Sequence, residues 1–161
     1  LSKIWPLENY SEVISRVLER SPAKFFLFGG GEKEMKYFES LQQKFPSNCV
    51  EVAGQLKLKQ ELTLMSMLDA MLCVDSSNMH LAALVGIPVI SIWGGTHTDV
   101  GFGPFGSGIK NIIEISRNEL PCRPCSVYGR EKCLRGDFAC LTRISPLHVA
   151  EEIAKTLTPH A

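Results

Sequence analysis

Residues 71–95 read MLCVDSSNMHLAALVGIPVISIWGG. A short apolar run ends on Asp75, two serines and Asn78 follow, and a small-residue, Ala/Leu-rich segment stops at Gly86. Pro88 then opens a second apolar run that ends on Gly94-Gly95. Short apolar runs bounded by turn residues predict buried strands at 71–75 and 88–95, and the segment between them, 80–86, predicts a short helix. Buried strands avoid carboxylates, so an acid at the end of one, five residues before His80, suggests a group placed to hold a ligand.

The same alternation extends in both directions. Apolar residues at helical spacing predict helices over 8–20 (Val13, Ile14, Val17, Leu18), 32–45 (Met35, Phe38, Leu41, Phe45) and 58–70. Strands are predicted at 24–30, 49–54 and 110–116, and a last helix at 146–157 with Ser145 as N-cap and Pro146 in its first position. Five strands alternating with helices define an α/β fold: a Rossmann-like parallel sheet with helices on both faces. The chain opens on a helix without the strand expected before it, which predicts a cut inside a larger α/β unit.

Composition narrows the classes. The 161 residues suffice for a single domain spanning 1–161. Lys+Arg and Asp+Glu balance at 17 each, so no overall field favours nucleic acid or an anionic membrane. No apolar run approaches the ~20 residues of a membrane span, and no signal-peptide pattern opens the chain.

Ligands of open α/β sheets bind beyond the carboxyl ends of the strands. Here those ends are Gly29–Glu32, Gly54–Leu56, Asp75–Ser77 and Gly94–Thr96. The third leads straight into a helix, whose free N–H groups and positive dipole end suit a phosphate, with Ser76 and Ser77 beside it. Asp75 suits hydroxyl groups instead, so a diphosphate-linked sugar would satisfy both. His80, a turn into the helix, can donate to a phosphate or sugar oxygen. The plainer alternative makes Asp75 a helix cap and His80 a solvated surface residue. Glu32 can accept from a ribose hydroxyl, or simply favour a helix dipole. Residues 101–106 match G-x-G-x-x-G but do not open a helix after a strand, so a dinucleotide fingerprint is rejected. Neither a P-loop nor a G-x-S-x-G elbow occurs.

The run Asp75–Thr96, followed by G-P-F-G at 103–106, resembles the family-nine glycosyltransferases, which include the heptosyltransferases of lipopolysaccharide core assembly. That family's pattern is approximately D-[ST]-G-x-x-H-x-A-A, then G-x-P, G-x-T and G-P-[YF]-G. Lys3-x-Trp5-Pro6, Gly30-Gly31-Glu32 and the tail from Cys122-Arg123-Pro124-Cys125 to Cys140-Leu141 agree as well. Ser77 stands for the usual Gly, where a positive φ would strain it. Gly95 stands for the Pro of a G-P-T turn, and Lys57 and Lys59 flank Leu58 where Ser/Thr often opens the helix.

The resemblance implies the C-terminal, donor-binding half of a two-domain GT-B enzyme. It implies inverting transfer of a heptose from a nucleotide diphosphate donor, ADP-heptose favoured, to a lipid A-core or other glycan acceptor held by the N-terminal domain. The catalytic base is then expected outside these residues. Lys3, Ser76 and Ser77 would bind donor phosphate. Asp75, His80 and Thr96 would meet the sugar or leaving group, and Glu32 and Leu56 the ribose and base. No catalytic metal is implied, and the location is the cytoplasmic face of the inner membrane, with peripheral contact at most. A transferase for another surface polysaccharide and a non-catalytic nucleotide- or zinc-binding module are the alternatives.

Within a Cys-rich loop at 117–145, before a closing helix at 146–158, Cys122, Cys125, Cys133 and Cys140 follow C-x2-C-x7-C-x6-C. Reduced structural cysteines, a structural zinc site and disulfides are all open to that spacing. Arg117, Arg123, Arg130, Lys132 and Arg135 surround the cluster, to solvate the loop or to face an anionic acceptor.

Overall fold

The computed structural model describes residues 2–106 and 110–157. The order is α1 (Leu7–Leu18), β1 (Phe25–Leu27), α2 (Glu32–Lys44), β2 (Cys49–Glu51), α3 (Leu58–Met65), β3 (Met71–Val74), α4 (Ser77–Val85), β4 (Val89–Trp93), β5 (Lys110–Glu114), α5 (Ala139–Thr142) and α6 (Pro146–Leu157), with a 3₁₀ turn at Thr98–Val100. Every strand pairing among the described residues is parallel. The expected five strands are all present, but not in one ladder. Among the described residues β1 pairs with β2, and β3–β4–β5 form a second sheet.

β4 shows why these sequences are strands. All five of its residues are buried, and they alternate between two cores. Ile90 and Ile92 face Val13, Val17, Val149 and Ile153 of α1 and α6. Val89 and Trp93 face Met65, Met79 and Ala82 of α3 and α4. A strand buried on both faces must be apolar throughout, which is why Val89–Trp93 carries one polar residue only. That residue, Ser91, accepts a hydrogen bond from Trp93 Nε1 at 2.9 Å. β3 splits the same way, with Met71 and Cys73 to one core and Leu72 and Val74 to the other.

Several boundaries differ from the expectation, the strands β1 and β2 ending three residues early. α4 begins at Ser77 rather than His80, because extended Ser76 is its N-cap and the second serine joins the first turn. Positive φ occurs at no described non-glycine residue except Phe138, so Ser77 carries none of the anticipated strain. α3 ends at Met65, five residues early, and turns at Ser66–Leu68 complete the connection. Its start dispenses with a Ser/Thr cap: the Lys57 N–H donates to Gln60 Oε1 at 2.9 Å. α5 is an addition to the expected elements; Asp137 Oδ1 accepts from Ala139 N–H and seeds it inside the Cys-rich loop. At α6, Ser145 Oγ accepts from His148 N–H as the spacing predicts; residue 158, the last of the expected helix, lies outside the described residues.

Ile92 is fully buried at the centre of β4, whereas Leu84 on α4 is 74% exposed. Ile92→Ala is expected to cost about 2–5 kcal/mol by urea denaturation, and Leu84→Ala no more than about 0.5 kcal/mol. Equal losses would contradict this assignment of the core.

Candidate functional site

The carboxyl ends of β3 and β4 converge on one carboxylate. Asp75 follows β3, and its side chain is 7% exposed. Its Oδ2 receives the Lys3 ammonium at 2.7 Å and the Thr96 hydroxyl at 2.8 Å. A carboxylate so nearly removed from water requires such partners, since burying an unpaired charge is costly. Lys3 comes from the segment that enters α1, and Thr96 from the turn after β4. Three parts of the chain therefore meet at one oxygen. Lys3 remains 34% exposed, so its other two N–H donors stay within reach of solvent. Both contacts fall on Oδ2, leaving Oδ1 open among the described residues.

Beside this carboxylate lies the start of α4. Ser76 is the N-cap, yet its hydroxyl makes no capping bond. The first amides of a nine-residue helix thus face outward with two serine hydroxyls beside them, as an anion would require. Ser77 and His80 are exposed on the first turns of α4.

The remaining expected residues lie elsewhere on the carboxyl edge. Glu32 opens α2, 81% exposed and paired with Lys36 at 2.6 Å. Glu34, not Glu32, reaches back to the glycine turn, accepting from Gly30 N–H at 2.9 Å. Leu56 is half-buried in the turn after β2. None of the hydrogen bonds or ion pairs of the described residues links Glu32 or Leu56 to Asp75.

The group that holds this edge together is one that sequence reasoning misses. Arg123 is expected in a solvated or acceptor-facing loop, but its side chain is fully buried. Nε donates to Gly94 O at 2.6 Å and Nη1 to Ile115 O. Nη2 lies 3.1 Å from Trp93 O, Thr96 O and Glu114 Oε2. The guanidinium thus ties the Cys-rich loop to the ends of β4 and β5. Glu114 Oε1 also accepts from His97 Nε2–H at 3.0 Å, while His97 Nδ1 accepts from Asp99 N–H at 3.1 Å. That pattern fixes the Nε2–H tautomer. The only sequence signal is position: an Arg beside Pro124, and a His between two threonines.

Ser2 closes the edge from the other side. Its carbonyl accepts from Gly95 N–H at 2.8 Å, its N–H donates to Arg130 O at 3.1 Å, and its hydroxyl accepts from Arg130 N–H at 2.7 Å. This explains Gly95: proline has no N–H to give Ser2, and any Cβ there would sit 2.7 Å from the Ser2 Cβ.

All six cysteines are free thiols. Among the described residues no three or more His, Cys, Asp or Glu are grouped to hold a metal ion. The apolar side of α5 carries Cys140 into the main core with Ala139 and Leu141, whereas Cys122 is exposed. Burial pushes the Cys140 thiol up to about 11 and Cys73 to about 12, the latter helped by Asp75. Burial also raises Cys125. At Cys133 burial acts in the same direction, but the N–H groups of Phe138, Arg135, Gly136 and Asp137 outweigh it and bring its pKa below the ordinary thiol value.

The α/β architecture with its parallel strands is that of solved heptosyltransferases. It matches E. coli ADP-heptose LPS heptosyltransferase II with a TM-score of 0.74 at 23% identity, over 97% of this chain and 42% of that one. E. coli heptosyltransferase WaaC with ADP matches with a TM-score of 0.70 at 19% identity, over 96% and 40%. Lipopolysaccharide heptosyltransferase 2 of Salmonella typhimurium is 26% identical over 165 residues, covering 98% of this chain and 43% of that protein. Residues 1–133 match glycosyltransferase family 9 (heptosyltransferase), and the chain belongs to that family. It spans less than half the length of these relatives. Among the described residues no helix is long and apolar enough to cross a membrane.

Arg123→Met leaves four carbonyls and Glu114 without their cation, and is expected to cost about 3–5 kcal/mol by urea denaturation. Arg143→Met, at a half-exposed pair 3.6 Å from Glu119, is expected to cost no more than about 1 kcal/mol. In the folded chain at neutral pH, iodoacetamide is expected to modify Cys133 ahead of Cys125, Cys140 and Cys73, because the thiolate is the nucleophile. Peptide mapping by mass spectrometry reads that order, and faster labelling of Cys125 would refute it.

Proposed function

We propose that these residues form the donor-binding half of a glycosyltransferase that moves a heptose from ADP-heptose to a lipopolysaccharide core acceptor. The observation that carries this reading is the cation, carboxylate and open helix start gathered at the ends of β3 and β4. Family membership and the heptosyltransferase names of the relatives support it. The ADP held by one solved relative favours adenine as the base.

In this reading the donor diphosphate lies against the first turn of α4, with the amides and hydroxyls of Ser76 and Ser77 around it. Lys3 donates to the phosphates with the N–H groups that Asp75 does not use. Asp75 then has two duties. Oδ2 orients Lys3 and Thr96, and Oδ1 accepts from a sugar hydroxyl. His80 reaches the sugar or leaving oxygen from the next turn. Glu32 exchanges its exposed Lys36 partner for a ribose hydroxyl, and Leu56 packs against the base.

The chemistry is a single displacement with inversion at the anomeric carbon. As the bond to the leaving oxygen breaks, negative charge grows on the nucleoside diphosphate. Lys3 and the helix start stabilise that charge more strongly than they stabilise the intact donor, which is the requirement for acceleration. The base that deprotonates the acceptor hydroxyl is supplied by an N-terminal domain, and the enzyme works at the cytoplasmic face of the inner membrane.

Calorimetric titration tests this reading. The chain is expected to bind ADP more tightly than UDP, and Glu32→Ala and Lys3→Ala to weaken ADP binding by about tenfold each, the ~1.4 kcal/mol of one lost charged contact. Asp75→Asn should weaken it through misplaced Lys3, while Leu84→Ala should not. Equal affinity for both nucleotides would move the reading to another donor. No nucleotide binding at millimolar concentration, with the fold intact, would favour an interaction module instead.

A further inference from the structure

Two aromatic rings meet at the surface of the carboxyl edge. Phe102 follows the 3₁₀ turn after β4, and Tyr128 lies in the Cys-rich loop. Their centroids are 5.9 Å apart, with the planes tilted by 52°. Phe102 is 39% exposed and Tyr128 78%, and neither belongs to an apolar core. Single exposed apolar residues need no explanation, whereas adjoining ones mark contact surfaces. The loop around Tyr128 is nonetheless fixed. Ser126 Oγ donates to Gly129 O at 2.8 Å, and Arg130 N–H donates to Ser2 Oγ at 2.7 Å. Gly129, at φ +88°, lies on the Lys3 stem: a Cβ there would stand 3.2 Å from Lys3 Cε and 3.3 Å from Cγ. Tyr128 is therefore one residue from the contact with the side chain that holds Asp75. A ring held on a rigid turn and left uncovered is preorganised for a ligand.

We propose that Phe102 and Tyr128 form a stacking face for a sugar ring of the acceptor glycan, so that this half of the enzyme holds part of the acceptor as well as the donor. The proposal rests on the transferase reading above and adds an acceptor subsite to it. Position along the sheet separates acceptor from donor. In that reading the base and ribose lie at the ends of β1 and β2, the phosphates at the start of α4 after β3, and the transferred sugar between Asp75 and Thr96. The next loops in that direction are those after β4 and β5, which carry Phe102 and Tyr128. The pair thus falls on the far side of the transferred sugar from the nucleotide, where its new neighbour must come.

Chemistry and size favour a sugar on this face. One side of a pyranose ring carries C–H groups with partial positive charge, which pack on the negative face of an aromatic ring, while its hydroxyls point sideways. The Tyr128 hydroxyl, which no hydrogen bond takes among the described residues, is available to one of them. Arg130 and Lys132 are exposed, form no ion pair among the described residues, and supply further N–H donors. Two partly exposed rings offer roughly 200–300 Å², against the ~800 Å² per partner of a standard protein interface. That area suits one or two sugar rings.

The test is NMR titration of the 161-residue chain with delipidated lipopolysaccharide core oligosaccharide, with the ring protons of Phe102 and Tyr128 as reporters. Both rings are expected to shift along one saturation curve. Tyr128→Ala and Phe102→Ala should each weaken binding roughly fivefold, and Tyr128→Phe should keep most of it. Leu84→Ala, at an exposed apolar residue elsewhere, should leave the curve as it is. The amide spectrum of each variant shows that it is folded. The proposal is overturned if neither ring shifts up to the solubility limit of the oligosaccharide, which would leave the pair to a protein partner. It is equally overturned if folded Tyr128→Ala binds as tightly as the parent chain. Titration of the parent chain with ADP reads the donor site separately. ADP binding without ring shifts removes the acceptor face alone, whereas ring shifts without ADP binding remove the donor reading and keep the sugar face.

Discussion

A guanidinium that cannot lose its charge lies fully buried at the ends of β4 and β5, and this sets the shape of the molecule's carboxyl edge. Arg123 survives there because five acceptors surround it. The carbonyls of Trp93, Gly94, Thr96 and Ile115, at and just beyond the ends of β4 and β5, converge there into a cation seat. The Cys-rich loop supplies the cation, and in return is bound to the sheet. The turn carrying Thr96 is held by the same group, which places its hydroxyl on Asp75. Removing Arg123 would therefore disturb a carboxylate to which it makes no hydrogen bond among the described residues.

The site itself follows from electrostatics at a helix start. The helix dipole and free amides of α4 favour negative charge, whereas Asp75 immediately before it opposes that charge. Lys3 resolves the conflict: with its ammonium on the carboxylate, the pair is close to neutral and the helix start keeps its attraction for an anion. In the proposed reading, the arrangement separates two kinds of recognition, phosphate at the amides and hydroxyl at the carboxylate.

Local alternation is legible in the residues. The strand cores and most helices follow from apolar spacing, and Ser145 and Pro146 mark the last helix as written. Asp75 announces itself as a carboxylate where an apolar run ends. What cannot be read is what depends on contacts distant in the chain. Arg123 stands among other basic residues in a polar loop, and nothing local distinguishes the one that will be buried from those that pair at the surface, such as Arg135 with Asp137. The His97–Glu114 contact and the Ser2–Arg130 bonds span separations that no periodicity reports. For the four cysteines the spacing leaves several states open, and nothing in it reports that the apolar side of α5 takes one of them into the core. The division into two sheets is equally hidden, because strand order is a property of the assembled layers.

Ser2 has a mechanical meaning. Through its three main-chain and hydroxyl bonds to residues 95 and 130, it pins the turn after β4 and the Cys-rich loop to the segment feeding α1. Lys3, next along that segment, is pinned to Asp75. A shift of this segment would pull on both loops and on the carboxylate together. The site is thus geared, through a two-residue linkage, to the path the backbone takes into α1.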